Sequence, residues 1–224
     1  MSADRVFVKI CGLRDAGSAQ VAVDSGADAL GFILAESRRQ VTPDSIREIR
    51  RSLASCARDM PQSGIDPDLV GVVVNVGPDE ISRIVSESGV DLIQLSGDES
   101  PEILDDLDVP AIKALRFPVG LSVDDALREV SAWLDGPHPA RHVLVEGHTH
   151  GLYGGTGARA DWSIVAGVAE RYPVILAGGL DPENVSEAVA AVGPFGVDVS
   201  SGIETDGAKD HEKIRNFVRA ARRA

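Results

Sequence analysis

Short apolar runs alternate along the chain with longer stretches whose apolar residues recur at helical spacing. The runs are rich in β-branched residues, and turn residues separate most of them from the helical stretches, as expected of buried strands. They predict strands at residues 6–11, 29–35, 70–76, 91–96, 110–117, 141–146, 173–177 and 196–200.

Helix start signals follow most of these strands. Asp15 can cap a helix that ends near Gly26, and Thr42-Pro43 and Gly77-Pro78 place a proline at the first helical position. Further helices are predicted at residues 99–107, 123–134, 161–171, from 181 onwards and at 209–222. The polar stretch 55–68 is interpreted as a surface loop.

The strict alternation of strand and helix predicts a parallel sheet with helices between its strands. Eight such units in 224 residues favour closure into a single-domain (β/α)8 TIM barrel of the α/β class, covering residues 1–224. A doubly wound open sheet is the alternative, although it usually has fewer strands.

Composition narrows the range of functions. A net charge of −13 argues against nucleic acid or an anionic membrane as a partner. Cys11 and Cys56 lie in different settings and do not indicate a disulfide framework. The first residues lack the apolar segment of a signal peptide, and no run is long enough to span a membrane, so a cytoplasmic protein is expected.

Polar residues within apolar strands are the first candidates for chemistry. Lys9 and Cys11 lie two positions apart and therefore share one face of the first strand. The other polar strand members are Asn75, Gln94, Lys113, Glu146 and Asp198. If they face the barrel interior, the two lysines and two carboxylates would pair with one another, because unpaired buried charges are costly. A structural cysteine and a structural ion-pair network are the alternatives to a catalytic rim.

Glycine-rich turns follow the last three predicted strands. They lie at residues 154–157, 177–179 and 200–202, and phosphate commonly binds at such turns near helix N-termini. Their candidate phosphate-binding residues are Gly155, Gly157, Gly178, Gly179, Ser200, Ser201 and Gly202. A phosphorylated small molecule is therefore the expected ligand.

Two further groups of polar residues follow strands. Arg38 and Arg39 follow the second strand, where an arginine fork suits a carboxylate. His148 and His150 lack a firm third ligand, so neither a metal nor another cofactor is predicted.

Motifs in series resemble the phosphoribosylanthranilate isomerase family. They are KICGLRD (9–15), GADALGFI (26–33), SRR with Val41, VGVVVN (70–75), DLIQLSGDE (91–99), IKALR (112–116), GLYGGTG (151–157) with DW (161–162), LAGGLDPENV (176–185) and DVSSGIE (198–204). The resemblance spans nearly the whole chain in the family's order. It implies an Amadori rearrangement in tryptophan biosynthesis, from N-(5-phosphoribosyl)anthranilate to 1-(2-carboxyphenylamino)-1-deoxyribulose 5-phosphate.

The resemblance also implies roles for individual residues. The family's general base is the cysteine of KICG, which is Cys11, and its general acid falls at Glu146. The arginine that meets the anthranilate carboxylate falls at Arg39, and Asp198 matches an active-site aspartate. Family members occur as monomers and as homodimers.

Three departures from the family pattern concern the site. Glu146 replaces an aspartate, and the added methylene would displace the acid, where about 1 Å can cost on the order of a hundredfold in rate. The usual SPR reads Ser37-Arg38-Arg39, so Arg38 could take over the carboxylate contact. Ser96 replaces the histidine of QLHG. The alternative functions are an isomerase of another phosphoribosyl-amine and a non-catalytic binder of a phosphorylated ligand.

Overall fold

The structure is a computed structural model that describes residues 5–56, 66–118, 120–147 and 161–224. Within these residues, eight parallel strands close into a barrel in sequence order, with the last strand pairing with the first. The strands are β1 (Phe7–Cys11), β2 (Ala29–Ile33), β3 (Asp68–Val73), β4 (Leu92–Leu95), β5 (Ala111–Phe117), β6 (His142–Gly147), β7 (Val174–Leu176) and β8 (Gly196–Val199). The predicted (β/α)8 barrel is thereby confirmed.

Helices form the outer layer of the barrel. They are α1 (Ala16–Asp24), α2 (Pro43–Cys56), α3 (Pro78–Ser88), α4 (Val123–Leu134), α5 (Trp162–Ala169), α6 (Val185–Val192) and α7 (His211–Ala221), with 3₁₀-helices at Pro101–Asp106 and Ser201–Ile203. The N-caps predicted from sequence are present at Asp15 and Asp161, whose carboxylates accept from the backbone N–H groups of Ser18 and Ser163. Such caps stabilise a helix by about 1 kcal/mol each.

Two apolar layers separate the inside of the barrel from its outside. The interior layer comprises Phe7, Ala29, Val70, Leu92, Ile112, Ala114, Leu144, Ile175 and Ala177. The alternate strand residues, such as Val8 and Ile10, pack against the helices in the larger outer core. This division fixes which strand residues face the barrel axis and the site at its carboxyl end.

A short hairpin after β8 was not predicted. It consists of β9 (Glu204–Thr205) and β10 (Ala208–Lys209), with Asp206 and Gly207 at the turn. The predicted start of the last helix at Lys209 is therefore wrong, because Lys209 belongs to β10 and Asp210 caps α7. The helix predicted from Asp181 begins instead at Val185, because the Asp181 carboxylate accepts from the N–H groups of Glu183 and Asn184 in a preceding turn.

Candidate active site

Lys9 and Cys11 lie on the inner face of β1, as their spacing predicts. The Lys9 ammonium is fully buried and donates a 2.6 Å hydrogen bond to Oδ1 of Asp198, its register partner on β8. The Cys11 side chain is buried as well and interacts electrostatically with the Lys9 ammonium. On β2, a Cβ at Gly31 would lie 2.7 Å from the Cys11 Sγ, so this glycine leaves space for the thiol.

Burial and the nearby lysines have opposite effects on the pKa of Cys11. Burial raises the pKa of the Cys11 thiol and Asp198 adds to the increase, while Lys9 and Lys209 lower it without cancelling it. At Lys9, burial lowers the pKa, but Asp198 and Cys11 outweigh it and the net pKa is raised. The ammonium therefore stays charged beside the thiol and favours its thiolate form.

Glu146 lies on the inner face of β6, with Arg116 of β5 as its register partner. The Arg116 Nε is 3.4 Å from the Glu146 Oε1. Burial raises the pKa of Glu146 and Asp198 contributes in the same direction, whereas Arg116 and Lys9 lower it. A carboxyl group with a raised pKa can hold a proton and donate it, as a general acid must.

Sequence reasoning did not select Arg116 as a site residue. It shares the inner face of β5 with Ile112 and Ala114, and it also hydrogen-bonds the carbonyl oxygen of Ser96. The available signal was its position near the carboxyl end of a predicted strand, where the site of a (β/α)8 barrel lies.

Lys113 does not face the site. It lies on the outer face of β5, where its ammonium donates to Glu99 at 2.6 Å and lies 5.0 Å from the Trp133 ring centroid. The expected pairing of two inward lysines with Glu146 and Asp198 is therefore wrong for Lys113. The predicted strand position of Asn75 is also wrong, because β3 ends at Val73 and Asn75 follows it with a φ of 53°. Gln94 does face inward and donates to the Ser96 hydroxyl at 3.0 Å.

Glu204 binds three cationic side chains at the mouth of the barrel. Arg39 contacts it in a two-pronged pair, with Nε–Oε1 and Nη2–Oε2 distances of 2.6 and 3.0 Å. Arg38 contacts it at 2.7 Å and Lys209 at 3.0 Å. Burial raises the pKa of Glu204, but Arg39 and Lys209 overcome this effect and lower it to about 2. Neither Glu204 nor Lys209 was among the sequence candidates.

The two arginines differ in burial. The Arg39 side chain is only 6% exposed, whereas that of Arg38 is 59% exposed. The Arg39 Cδ would lie 2.7 Å from a Cβ at Gly12, the residue after Cys11. Arg39 is thus fixed against Gly12, and Arg38 reaches the same carboxylate from the solvent side.

Two of the three predicted phosphate loops lie against each other. Gly178 and Gly179, after β7, have φ values of 87° and 67°, which only glycine adopts readily. A Cβ at Gly202, after β8, would lie 1.9 Å from the Leu180 carbonyl oxygen, so the two backbones are in direct contact. Ser200 and Ser201 precede Gly202 on the same turn.

The third predicted loop, with Gly155 and Gly157, lies outside the described residues, as do His148 and His150. No group of metal-binding side chains was found among the residues with described positions. No helix in those parts of the chain is long and apolar enough to cross a membrane.

A family model for N-(5'phosphoribosyl)anthranilate (PRA) isomerase matches residues 8–220. The N-(5'-phosphoribosyl)anthranilate isomerase of Roseiflexus sp. (strain RS-1) is 45% identical over 221 residues, covering 98% of this chain and 99% of the relative. The protein of the same name from Dehalococcoides mccartyi is 38% identical over 213 residues, covering 95% and 94%.

Solved structures are similar as well. The N-(5'-phosphoribosyl)anthranilate isomerase of Pyrococcus furiosus has a TM-score of 0.78 at 29% identity, covering 98% of this chain and 100% of its own. A phosphoribosyl anthranilate isomerase solved in complex with reduced 1-(o-carboxyphenylamino)-1-deoxyribulose 5-phosphate has a TM-score of 0.74 at 31% identity, with the same coverage.

Proposed function

The chain belongs to the phosphoribosylanthranilate isomerase family and is an isomerase of tryptophan biosynthesis, and we propose that Cys11 and Glu146 are its general base and general acid. One observation supports this assignment above others. Both side chains lie on the inner face at the carboxyl ends of β1 and β6, Cys11 buried and Glu146 13% exposed, and both interact electrostatically with the Lys9–Asp198 pair. That end of a (β/α)8 barrel is where catalytic groups are found.

The proposed reaction begins with ring opening. Glu146 donates a proton to the ribose ring oxygen, the C1–O bond breaks, and the anthranilate nitrogen lone pair forms a Schiff base at C1. The thiolate of Cys11 then removes the proton from C2. The electron pair of that C–H bond forms the C1–C2 double bond, and the π pair of the C1–N bond returns to the nitrogen, which gives an enolamine. Loss of the C2 hydroxyl proton and protonation at C1 give the ketone product.

Substrate binding is assigned to groups around the acid and the base. Arg39 is the proposed partner of the anthranilate carboxylate, because it is buried against Gly12, the residue after Cys11, and is held in place by Glu204. Asp198 keeps Lys9 charged next to the thiol and is a proposed substrate contact. The turns at Gly178-Gly179 and at residues 200–202 are the proposed phosphate site, together with Gly155 and Gly157.

The experiment is to add purified protein to freshly prepared phosphoribosylanthranilate and to follow the loss of its fluorescence. We expect turnover by the unmodified chain and none by Cys11→Ala. A folded chain that binds the substrate without turnover would instead indicate a non-catalytic binder, and turnover by Cys11→Ala would exclude this cysteine as the base.

The proposed partner is a phosphorylated small molecule, without nucleic acid or a membrane, and no cofactor is required by the steps above. A solved phosphoribosylanthranilate isomerase from Thermotoga maritima is described as dimeric, and monomers generated from it are described as well. A monomer or a homodimer is proposed for this chain. A biosynthetic pathway with diffusible phosphorylated intermediates supports a cytoplasmic location.

A further inference from the structure

Lys209 is a second buried cation beside Cys11, contributed by a different element from Lys9. The register of the hairpin pairs Lys209 with Glu204 across β9 and β10. The Lys209 ammonium, whose side chain is 4% exposed, donates to the Ser200 carbonyl oxygen at 2.8 Å. It would lie 3.5 Å from a Cβ at Gly12, the residue that follows Cys11. The hairpin therefore directs this lysine into the mouth of the barrel.

Glu204 does not fully neutralise Lys209. The same carboxylate already forms the two-pronged pair with Arg39 and contacts Arg38. Three positive charges thus share one negative charge, which leaves an excess of positive charge near the thiol. Opposite charge nearby favours the charged form of a titratable group, and burial strengthens that interaction.

The charged groups that face Cys11 come from three elements. Lys9 belongs to β1, Asp198 to β8 and Lys209 to β10, and each of them affects the pKa of the thiol. Lys9 has its own carboxylate in Asp198, at 2.6 Å. The negative charge of Asp198 also disfavours the thiolate form of Cys11. The positive charge of Lys209 acts against this effect of Asp198.

On the basis of the proposed function, we propose that Lys209 is a positioning residue that stabilises the thiolate of Cys11, and that Glu204 holds Lys209 and Arg39 in place together. One carboxylate then orients both the cation that favours the base and the guanidinium assigned to the substrate carboxylate. A purely structural hairpin lysine would have no effect on the ionisation of Cys11.

The test measures the titration of Cys11 directly. In a Cys56→Ser background Cys11 is the sole cysteine, so cysteine labelled with ¹³C at Cβ gives one resonance whose shift can be followed against pH. Lys209→Met should move the titration midpoint to higher pH, and Lys209→Arg should keep most of the original midpoint. Lys213→Met is the matched control, because Lys213 donates to the Glu204 backbone carbonyl and loses the same charge.

Kinetics give the second measurement. Lys209→Met should lower kcat/KM at pH 7 on the order of tenfold and shift the alkaline limb of the profile to higher pH. An unchanged Cys11 titration in folded Lys209→Met, or an equal shift in Lys213→Met, would overturn the role of Lys209. Turnover by Cys11→Ala would instead refute the proposed base, so the two failures are distinguishable.

Discussion

At the scale of single residues, the replacement of the family's aspartate by Glu146 is the change closest to the chemistry. The longer side chain meets Arg116 at 3.4 Å, and burial keeps the pKa of Glu146 raised. We expect Glu146→Gln to lower kcat by a factor of about 10² to 10⁴, because the amide cannot donate an acidic proton to the ring oxygen. The measurement is steady-state fluorescence, with the affinity for inorganic phosphate as a check that the phosphate site is intact.

Glu146→Asp separates acid chemistry from side-chain length. It restores the family residue and keeps the acid, so we expect its rate to exceed that of Glu146→Gln by at least about tenfold. A near-normal rate in Glu146→Gln would mean that another group supplies the proton. If both variants were equally inactive, the position of the carboxyl group would matter as much as its proton.

The pH dependence of the rate follows from the ionisation of Glu146 and Cys11. The pKa of Glu146 and that of Cys11 are both raised by burial, and the thiol starts from the higher ordinary value. The active form has one proton, on Glu146, and one thiolate. Below the titration of Glu146 both groups are protonated and no base exists, and above that of Cys11 no acid remains.

We therefore expect a bell-shaped profile of kcat/KM against pH. Its two limbs report the two apparent pKa values of Glu146 and Cys11 titrating as a coupled pair. Stopped assays from about pH 4 to about pH 10 would measure this profile, because that range covers the titration of both a carboxyl group and a thiol. Removing the acid in Glu146→Gln should abolish the upper limb, because the remaining activity then needs only the thiolate and rises with pH through the titration of Cys11. An upper limb that persisted in that variant would belong to a different group.

At the scale of elements, the contact between the two phosphate loops makes a prediction. Gly202→Ala would place a Cβ against the Leu180 carbonyl oxygen and force apart the turns after β7 and β8. We expect KM to rise on the order of tenfold, with a loss of about 1 to 3 kcal/mol in the free energy of unfolding. Enzyme kinetics and denaturant melts would measure the two effects. Gly136→Ala is the control, since a Cβ there meets nothing within 4 Å.

The strands and their order were predictable, whereas the orientation of β5 was not. Both faces of a buried parallel strand are apolar, so the pattern around Lys113 gave no indication of which residues face inward. Only the register between β5 and β6 places Arg116 inside, beside Glu146, and Lys113 outside, against Trp133. On β1 the same reasoning succeeded, because Lys9 and Cys11 form a polar face opposite Val8 and Ile10.

The sequence contains a turn motif that could have predicted the hairpin of Glu204 and Lys209. Asp206-Gly207 is a common two-residue hairpin turn, and both residues have positive φ values, of 51° and 79°. Its strands are only two residues long, too short for periodicity to detect. An aspartate at 210 also fits an N-cap, which would have excluded Lys209 from the helix. Ion pairs between distant segments, such as Arg39 with Glu204, depend on barrel closure and have no local signal.

At the scale of the whole molecule, the two ends of the barrel differ in function. The carboxyl end gathers positive charge from Lys9, Arg38, Arg39 and Lys209 in a chain of net charge −13. This local excess suits an anionic substrate that the acidic surface would otherwise repel. We propose that the entire chain forms the one domain that holds this site, and that the opposite end of the barrel contributes to stability.

An aromatic cluster at that opposite end predicts acid sensitivity of the whole fold. The His142 ring lies 5.7 Å from that of Phe7 and 4.8 Å from that of Phe195, between centroids. Burial, aided by Arg141, lowers the pKa of His142 from 6.5 to about 4. The unfolded chain therefore binds a proton more readily than the folded chain. Stability is retained above the unfolded pKa and falls as the pH drops from about 6.5 towards about 4.

His142→Phe keeps a ring in the cluster and removes the proton-binding nitrogen atoms. We expect the variant to lose less stability than the unmodified chain between about pH 7 and pH 5, by about 1 kcal/mol after allowance for partial exposure. Urea melts at both pH values would measure this difference. His138→Phe is the control, because it removes an exposed histidine that lies outside the aromatic cluster. If the two variants behaved alike, other groups would cause the acid sensitivity, because only His142 is held between aromatic rings within the described residues.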